Sequence, residues 1–411
     1  MTLNTMGRRA AKASIASMLS VAMGLGLTAC SSNHTVAFLY ATTAKNNPGV
    51  ISGYKIDFQA GHLSQLADSP VPSGGRNPVA LVASPDHRFI YVVHRDDSTI
   101  VYFAIGTDGK LYAQHTYNVT GSFPLSASID ATGKFLYVTF TYQKGPNGEQ
   151  LYTPANPGPG GVTIFPINSC ATCDGSLGTP TTTNLGRNPV AVVATSVNHF
   201  VYFISQDSAT GANLYGFSAN PTTGALTPLP GITINPGNVP SVGFPSGVTP
   251  SAIIEDPSSN HLYVTDQASN QLLGYSIAAN GVPSLLANGT VPTDTDPVGI
   301  TIDVTGKFLF VVNYTGGTIG GYTFGPNGEP ILSTVAASTQ AGTGPTCVTT
   351  VGAPTNTDPS QGIYLYTSNA LSNSITGQQV LPQDGSLRQI FESPFAAAAL
   401  PTCLVAVPTI Q

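Results

Sequence analysis

No tryptophan occurs among the 411 residues, and only 8% of them are charged. The first absence excludes the propeller repeats marked by a Trp-Asp pair and any quinone site that stacks its cofactor on indole. Basic residues are scarce too: fourteen Lys and Arg stand against twenty Asp and Glu. Three of the fourteen, Arg8, Arg9 and Lys12, fall at the very start, and no run of Lys or Arg follows. A nucleic-acid partner needs a basic stripe to displace counterions, so that class is excluded. Gly-x-x-x-x-Gly-Lys, His-Glu-x-x-His and Gly-x-Ser-x-Gly are all missing, and no cofactor or metal is expected. No window sustains a helical period. After the first thirty residues, no apolar stretch reaches bilayer-spanning length.

The first thirty residues read as a targeting segment. The three basic residues form a positive start, and Ala13 to Leu27 is apolar. The stretch ends in Leu27-Thr28-Ala29-Cys30, which is similar to the lipobox of bacterial lipoproteins. Small residues fit a peptidase groove, and Cys30 offers a thiol for diacylglycerol. The expectation is a signal peptide over 1–29, a lipidated Cys30 with a short tether over 30–35, and one folded domain over 36–411. Ser31 favours outer-membrane sorting. The processed chain would carry eleven basic and twenty acidic side chains, net −9, and would touch the membrane only through its lipid.

What remains is rich in Gly, Pro, Val, Ile, Tyr and Phe, a mixture that gives short strands and many turns. One block recurs seven times. The strongest copy is Arg88-Phe89-Ile90-Tyr91-Val92-Val93, matched by segments at Phe135, Phe200, His261 and Phe308 and more weakly at Ala37 and Ile363. A Gly-aromatic strand follows, as in Leu273-Gly274-Tyr275, and then a turn such as Asp108-Gly109 or Asn280-Gly281. Asx-Gly adopts positive φ at low cost and reads as a hairpin into a fourth strand. Before six copies sits a strand opened by Pro78, Pro124, Pro189, Pro250, Pro297 or Pro345, at spacings of 46, 65, 61, 47 and 48 residues. The excesses are insertions at 143–161, 230–248 and 353–361. The first copy lacks its Pro-led strand, whereas Pro401 to Val407 is such a strand with nothing after it. The pattern predicts an all-β, seven-bladed β-propeller with four antiparallel strands per blade. Its ring closes when the C-terminal strand, about 401–407, enters the first blade and removes two exposed sheet edges.

At these residues the chain resembles the lactonase-type seven-bladed propellers, which include 6-phosphogluconolactonase, and the secreted propellers named for a Tyr-Val-Thr-Asn repeat. Ser84-Pro85-Asp86-His87-Arg88-Phe89-Ile90-Tyr91-Val92-Val93, Tyr137-Val138-Thr139 and Tyr263-Val264-Thr265-Asp266 carry the likeness, which spans about residues 35 to 408. The resemblance implies the fold; propellers host many unrelated activities. The family's enzymes carry Pro-Arg-His ahead of one blade and Asn-Glu after a second strand. Here the corresponding segments read Pro250-Ser251-Ala252, Pro189-Val190-Ala191, Asp266-Gln267 and Asn313-Tyr314. No catalytic residue is therefore carried over.

In a propeller, the loops into the inner strands and out of the second strands share the face around the channel mouth, the default ligand site. That face should collect His94, Arg95 and Arg187 as candidate catalytic residues: a His for general base and guanidinium groups for an oxyanion. It should also collect Arg76, Asp96, Asp207, Asp266 and Asn313 as candidate ligand-binding residues. The matching loops Gly75-Arg76-Asn77-Pro78 and Gly186-Arg187-Asn188-Pro189 suit paired hydrogen bonds to a carboxylate or phosphate. The alternative is that each Arg binds loop carbonyls or a neighbouring Asp. Cys170 and Cys173 are expected to close a small disulfide loop in an oxidising compartment. Cys347 and Cys403 occupy the same Pro-Thr-Cys position in two neighbouring inner strands. A bridge between them is weighed against buried thiols, with one sulfur expected to face away from the other. The resulting expectation is a monomeric, envelope-anchored lipoprotein that holds a small molecule or an envelope protein partner. The alternative is a hydrolase acting on a lactone or sugar derivative.

Overall fold

A computed structural model describes residues 35–409 except 58, 157, 209, 236–240 and 353–361. The signal-peptide reading and Cys30 lie outside the described residues. Seven sheets of antiparallel strands are present, one per blade. In blade 2 the order from the channel outward is Pro78–Ala83, Phe89–His94, Thr99–Ile105 and Leu111–Asn118. Blades 3 to 7 repeat this order, with inner strands Ser122–Ile129, Pro189–Ala194, Pro250–Glu255, Pro297–Ile302 and Pro345–Val351. In blades 1, 4, 6 and 7 the outer strand is broken into two short pieces; in blade 4 the pieces are Leu226–Pro228 and Phe244–Pro245, the second lying within the 230–248 insertion.

Blade 1 is built from both ends of the described chain. Pro401–Pro408 pairs with Thr35–Thr43 in antiparallel register, Val407 opposite Phe38 and Leu404 opposite Ala41. The sealed ring expected from the unpaired tail strand is the one observed.

Second strands such as Phe89–His94 are buried at every position. Alternation is lost because a neighbouring blade covers each face, so the strand reads as continuously apolar. Inner strands behave differently. In the six that begin with Pro, the register shifts after that residue. The residue following Pro is thereby bulged out of the ladder. Where it carries a hydroxyl, it reaches the next blade: Ser251 Oγ donates to Pro297 O at 2.7 Å, Thr346 Oγ1 to Pro401 O at 3.0 Å and Thr402 Oγ1 to Pro78 O at 2.6 Å.

The repeated block explains itself once the blades are assembled. The hairpin glycine of each blade has positive φ and lies under a ring from the preceding blade. Phe38 covers Gly109, Phe89 covers Gly175, Phe200 covers Gly281, and Tyr364 covers Gly61 across the closure. Two residues beyond the covering ring, a tyrosine hydroxyl donates to that glycine's carbonyl. Tyr40 reaches Gly109 at 2.7 Å, Tyr91 reaches Gly175 at 2.7 Å, Tyr202 reaches Gly281 at 2.6 Å, Tyr263 reaches Gly328 at 2.8 Å and Tyr366 reaches Gly61 at 2.6 Å. On the same face, Asp130, Asp256 and Asp303 close the turns between first and second strands, each accepting two backbone amides on Oδ1.

A Cβ at Gly281 would lie 2.6 Å from the Phe200 ring, at a φ of 83°. Gly281→Ala should cost about 2 kcal/mol or more through strain and overlap. Tyr202→Phe should cost about 1 to 2 kcal/mol, because a buried carbonyl loses its donor. Urea titration of each variant checks both values; wild-type midpoints would contradict this account of the repeat.

Candidate functional site

On the channel-mouth face, a cavity of about 620 Å³ opens across blades 2, 3 and 4. Blade 2 contributes Arg95, the residue after its second strand. Blade 3 contributes Phe123 and Leu125 from its inner strand, Thr141 and Tyr142 from its second strand, and Gln150, Pro154 and Gly158 from the 143–161 insertion. Blade 4 contributes Arg187 and Asn188 ahead of its inner strand and Gln206, Asp207 and Ser208 beyond its second. The matching Gly-Arg-Asn-Pro loops are held alike, each by a carboxylate just beyond the second strand of its own blade. The Arg187 amide donates to Asp207 Oδ1 at 2.8 Å. The Arg76 amide donates to Asp97 Oδ2 at 2.6 Å. In blade 5, Asp266 does the same for the amides of Val248 and Thr249, at 3.1 and 2.8 Å.

Arg95 stands over the Phe123 ring at 5.3 Å, and that ring meets Tyr142 edge-on. The guanidinium is placed by aromatic packing and by a 3.6 Å contact with Asp96, an exposed pairing that is weak in water. Asp207 is half-buried, and its second oxygen accepts from Asn213 Nδ2 at 2.9 Å. Burial pushes its carboxyl above the ordinary carboxylate range, against the downward pull of Asn213 and the Arg187 amide. The cavity thus holds two guanidinium groups, three side-chain amides and a carboxyl that gives up its proton reluctantly.

The expected site residues divide into two groups. Arg95, Arg187 and Asp207 line the cavity together. The others are placed elsewhere. Arg76 is held by Asp97, with Nε to Oδ1 at 2.6 Å. Asp96 faces solvent and accepts from Asn77 Nδ2 at 3.3 Å. Asp266 is buried, with Gln271 as a further donor at 3.1 Å. Asn313 is buried and donates to Thr318 Oγ1 at 3.1 Å. His94 corrects the sequence reading most. As the last residue of a fully buried strand it points inward, with Nε2 3.0 Å from Ser73 Oγ and its ring against the Gly75 backbone. Burial holds its pKa down at about 4. It does not line the cavity, so it is not set to act as a base there. Phe123, Tyr142 and Gln150 were not singled out from the sequence, and no periodicity or motif marks them.

Cys170 and Cys173 are joined by a disulfide in a turn of blade 3, and the Arg88 guanidinium of blade 2 donates to both their carbonyls. The described residues contain no group of three or more potential metal ligands.

The sequence family described as lactonase, 7-bladed beta-propeller, matches residues 67–147 and 241–349. With the seven four-stranded sheets, the chain has the seven-bladed β-propeller fold that this family's description names. Among solved structures, a candidate 6-phosphogluconolactonase from Bacteroides fragilis is similar along 92% of this chain and 99% of its own, with TM-score 0.68 and 18% identity. The periplasmic gluconolactonase PpgL of Pseudomonas aeruginosa is similar along 91% of this chain and 100% of its own, with TM-score 0.67 and 17% identity. At these identities the likeness is one of fold. No curated protein matches the sequence.

The depressed pKa of His94 carries a stability consequence. Unfolded, the ring binds a proton below about pH 6.5; folded, it does so only below about 4. Its contribution is complete above pH 6.5 and is lost as the pH falls toward 4, with a loss of about 2 to 3 kcal/mol by pH 4.5. The difference in urea stability between pH 7 and pH 4.5 should therefore shrink by roughly that amount in His94→Gln.

Proposed function

We propose that this protein is an envelope-anchored propeller lipoprotein that binds a small, polyhydroxylated, anionic molecule in the cavity across blades 2 to 4. The observation that carries this reading is that Arg95 and Arg187 line one cavity with Asn188, Gln206 and Asp207. Guanidinium groups recognise a carboxylate by charge-assisted hydrogen bonds, and the amides and Asp207 suit the hydroxyls of a sugar acid. Phe123 and Tyr142 supply an apolar wall. The anchoring part of the proposal rests on the N-terminal sequence, and the outer membrane is its expected location.

A second reading, hydrolysis of a lactone, is favoured by the match to the lactonase family and by the raised pKa of Asp207 beside an arginine loop. Asp207 would take a proton from water as the water attacks the lactone carbonyl, and a guanidinium would stabilise the developing oxyanion. Ring opening then yields the hydroxy acid, which the binding reading takes as ligand. An exported protein would not meet a cytosolic phosphorylated substrate.

Calorimetric titration with gluconate, glucono-δ-lactone and glucose separates these outcomes. Gluconate should bind and glucose should not. Arg187→Ala and Arg95→Ala should each weaken gluconate binding by about ten- to a hundredfold, the range for a lost charge-assisted bond. Turnover of the lactone that disappears in Asp207→Asn would establish the second reading. An absence of binding by all three compounds would remove the first.

A further inference from the structure

We propose that Cys347 and Cys403 are a redox pair that closes to a disulfide between the innermost strands of blades 7 and 1. The two sulfurs lie 2.7 Å apart, nearer than two thiols in ordinary contact. They were expected to face away from each other because equivalent positions in successive blades share a rotational sense. Around a seven-fold axis, however, the chord between neighbouring equivalent points is shorter than their distance from the axis. Side chains of adjacent inner strands therefore converge. The strands themselves are fixed in relative position: Thr346, the residue before Cys347, donates through Oγ1 at 3.0 Å to the carbonyl of Pro401, two residues before Cys403. Cys347 Sγ also lies 3.7 Å from Leu404 O, so it faces the closing strand. Both cysteines are half-buried as residues. A metal site is a poor alternative, since no third ligand joins the two sulfurs among the described residues.

The chemistry is thiol–disulfide exchange with a disulfide acceptor, either protein-borne or of low molecular weight, in an oxidising compartment. The Cys403 thiol donates toward Cys347, which makes Cys347 the easier of the two to ionise. The Cys347 thiolate attacks one acceptor sulfur, forms a mixed disulfide and releases one acceptor thiol. Cys403 loses its proton and attacks Cys347 Sγ, releasing the second. Two electrons and two protons pass to the acceptor. The product joins residue 347 to residue 403, so the closing strand is tied covalently to blade 7 while hydrogen bonds alone hold it to Thr35–Thr43. The export reading is needed only to supply the oxidant in the cell.

The test is peptide mapping of the purified full chain, first reduced under native conditions and then equilibrated with glutathione disulfide. Trypsin cuts after Lys307 and Arg388, which puts Cys347 in peptide 308–388 and Cys403 in peptide 389–411. After blocking of free thiols, these two should appear as one linked species, two hydrogens lighter than their sum. Cys170 and Cys173 share peptide 145–187 and cannot give the same signal. The oxidised protein should melt a few degrees above the reduced one, and Cys347→Ser and Cys403→Ser should each abolish both the linked species and that shift. Recovery of the two peptides unlinked and alkylated, or linkage of either cysteine to 145–187, would overturn the proposal. The mapping needs no ligand, so a failure of the sugar-acid reading leaves its outcome unaffected.

Discussion

A ring on a glycine holds the propeller together. At each junction an aromatic or imidazole ring from one blade rests on the hairpin glycine of the next, and at five of the seven a tyrosine hydroxyl also ties that glycine's carbonyl. The glycine cannot grow a side chain because the ring occupies that space, and it cannot leave positive φ without opening the turn. Each hydroxyl contributes about 1 kcal/mol and each buried ring about 2 to 3, repeated around the circle. The two halves of the contact belong to different blades, so an isolated blade would expose both. All of these contacts lie on the face opposite the channel mouth, which leaves the other face free to vary.

That division accounts for how much of the protein was legible in its sequence. Phe89, Tyr91 and Gly175 recur in kind because most junctions are built from them, and they announced the seven blades and the strand order, while the unpartnered Pro-led tail strand announced the ring closure through Pro401–Pro408. The mouth has no such periodicity. Arg95 and Arg187 could be placed on it because their loops follow and precede identifiable strands, and Asp207 because it follows one. His94 was misjudged by one position: as the last residue of a buried strand it turns inward, whereas Arg95 turns out. The walls made by Gln150, Pro154 and Gly158 come from an insertion whose path no repeat dictates. The meeting of Cys347 with Cys403 depends on convergence near the axis, which a linear pattern does not display.

The mouth is nonetheless built on the repeat. A carboxylate at or just beyond the end of the second strand grips the amides of the loop leading into the inner strand, as Asp97, Asp207 and Asp266 do in blades 2, 4 and 5. This internal tie fixes the loop and uses much of the carboxylate's hydrogen-bonding capacity. It explains why Asp266 is structural: it ends its second strand opposite Pro250, the place Ser205 holds opposite Pro189, whereas Asp207 lies two residues further out. The difference lies in burial: Asp266 is enclosed, whereas Asp207 stays half-exposed at the rim of a cavity deepened by the insertion in blade 3.

The shared construction of blade 1 bears on how the molecule is made. Thr35–Thr43 emerges first from the ribosome, yet its partner Pro401–Pro408 emerges last. Throughout synthesis the opening strand has a bare edge of amides and carbonyls, the kind of surface that recruits strands from other chains. The circle cannot close until Pro401–Pro408 has been made and all six other blades are in place. Until then a neighbouring copy is the chief hazard to that first edge.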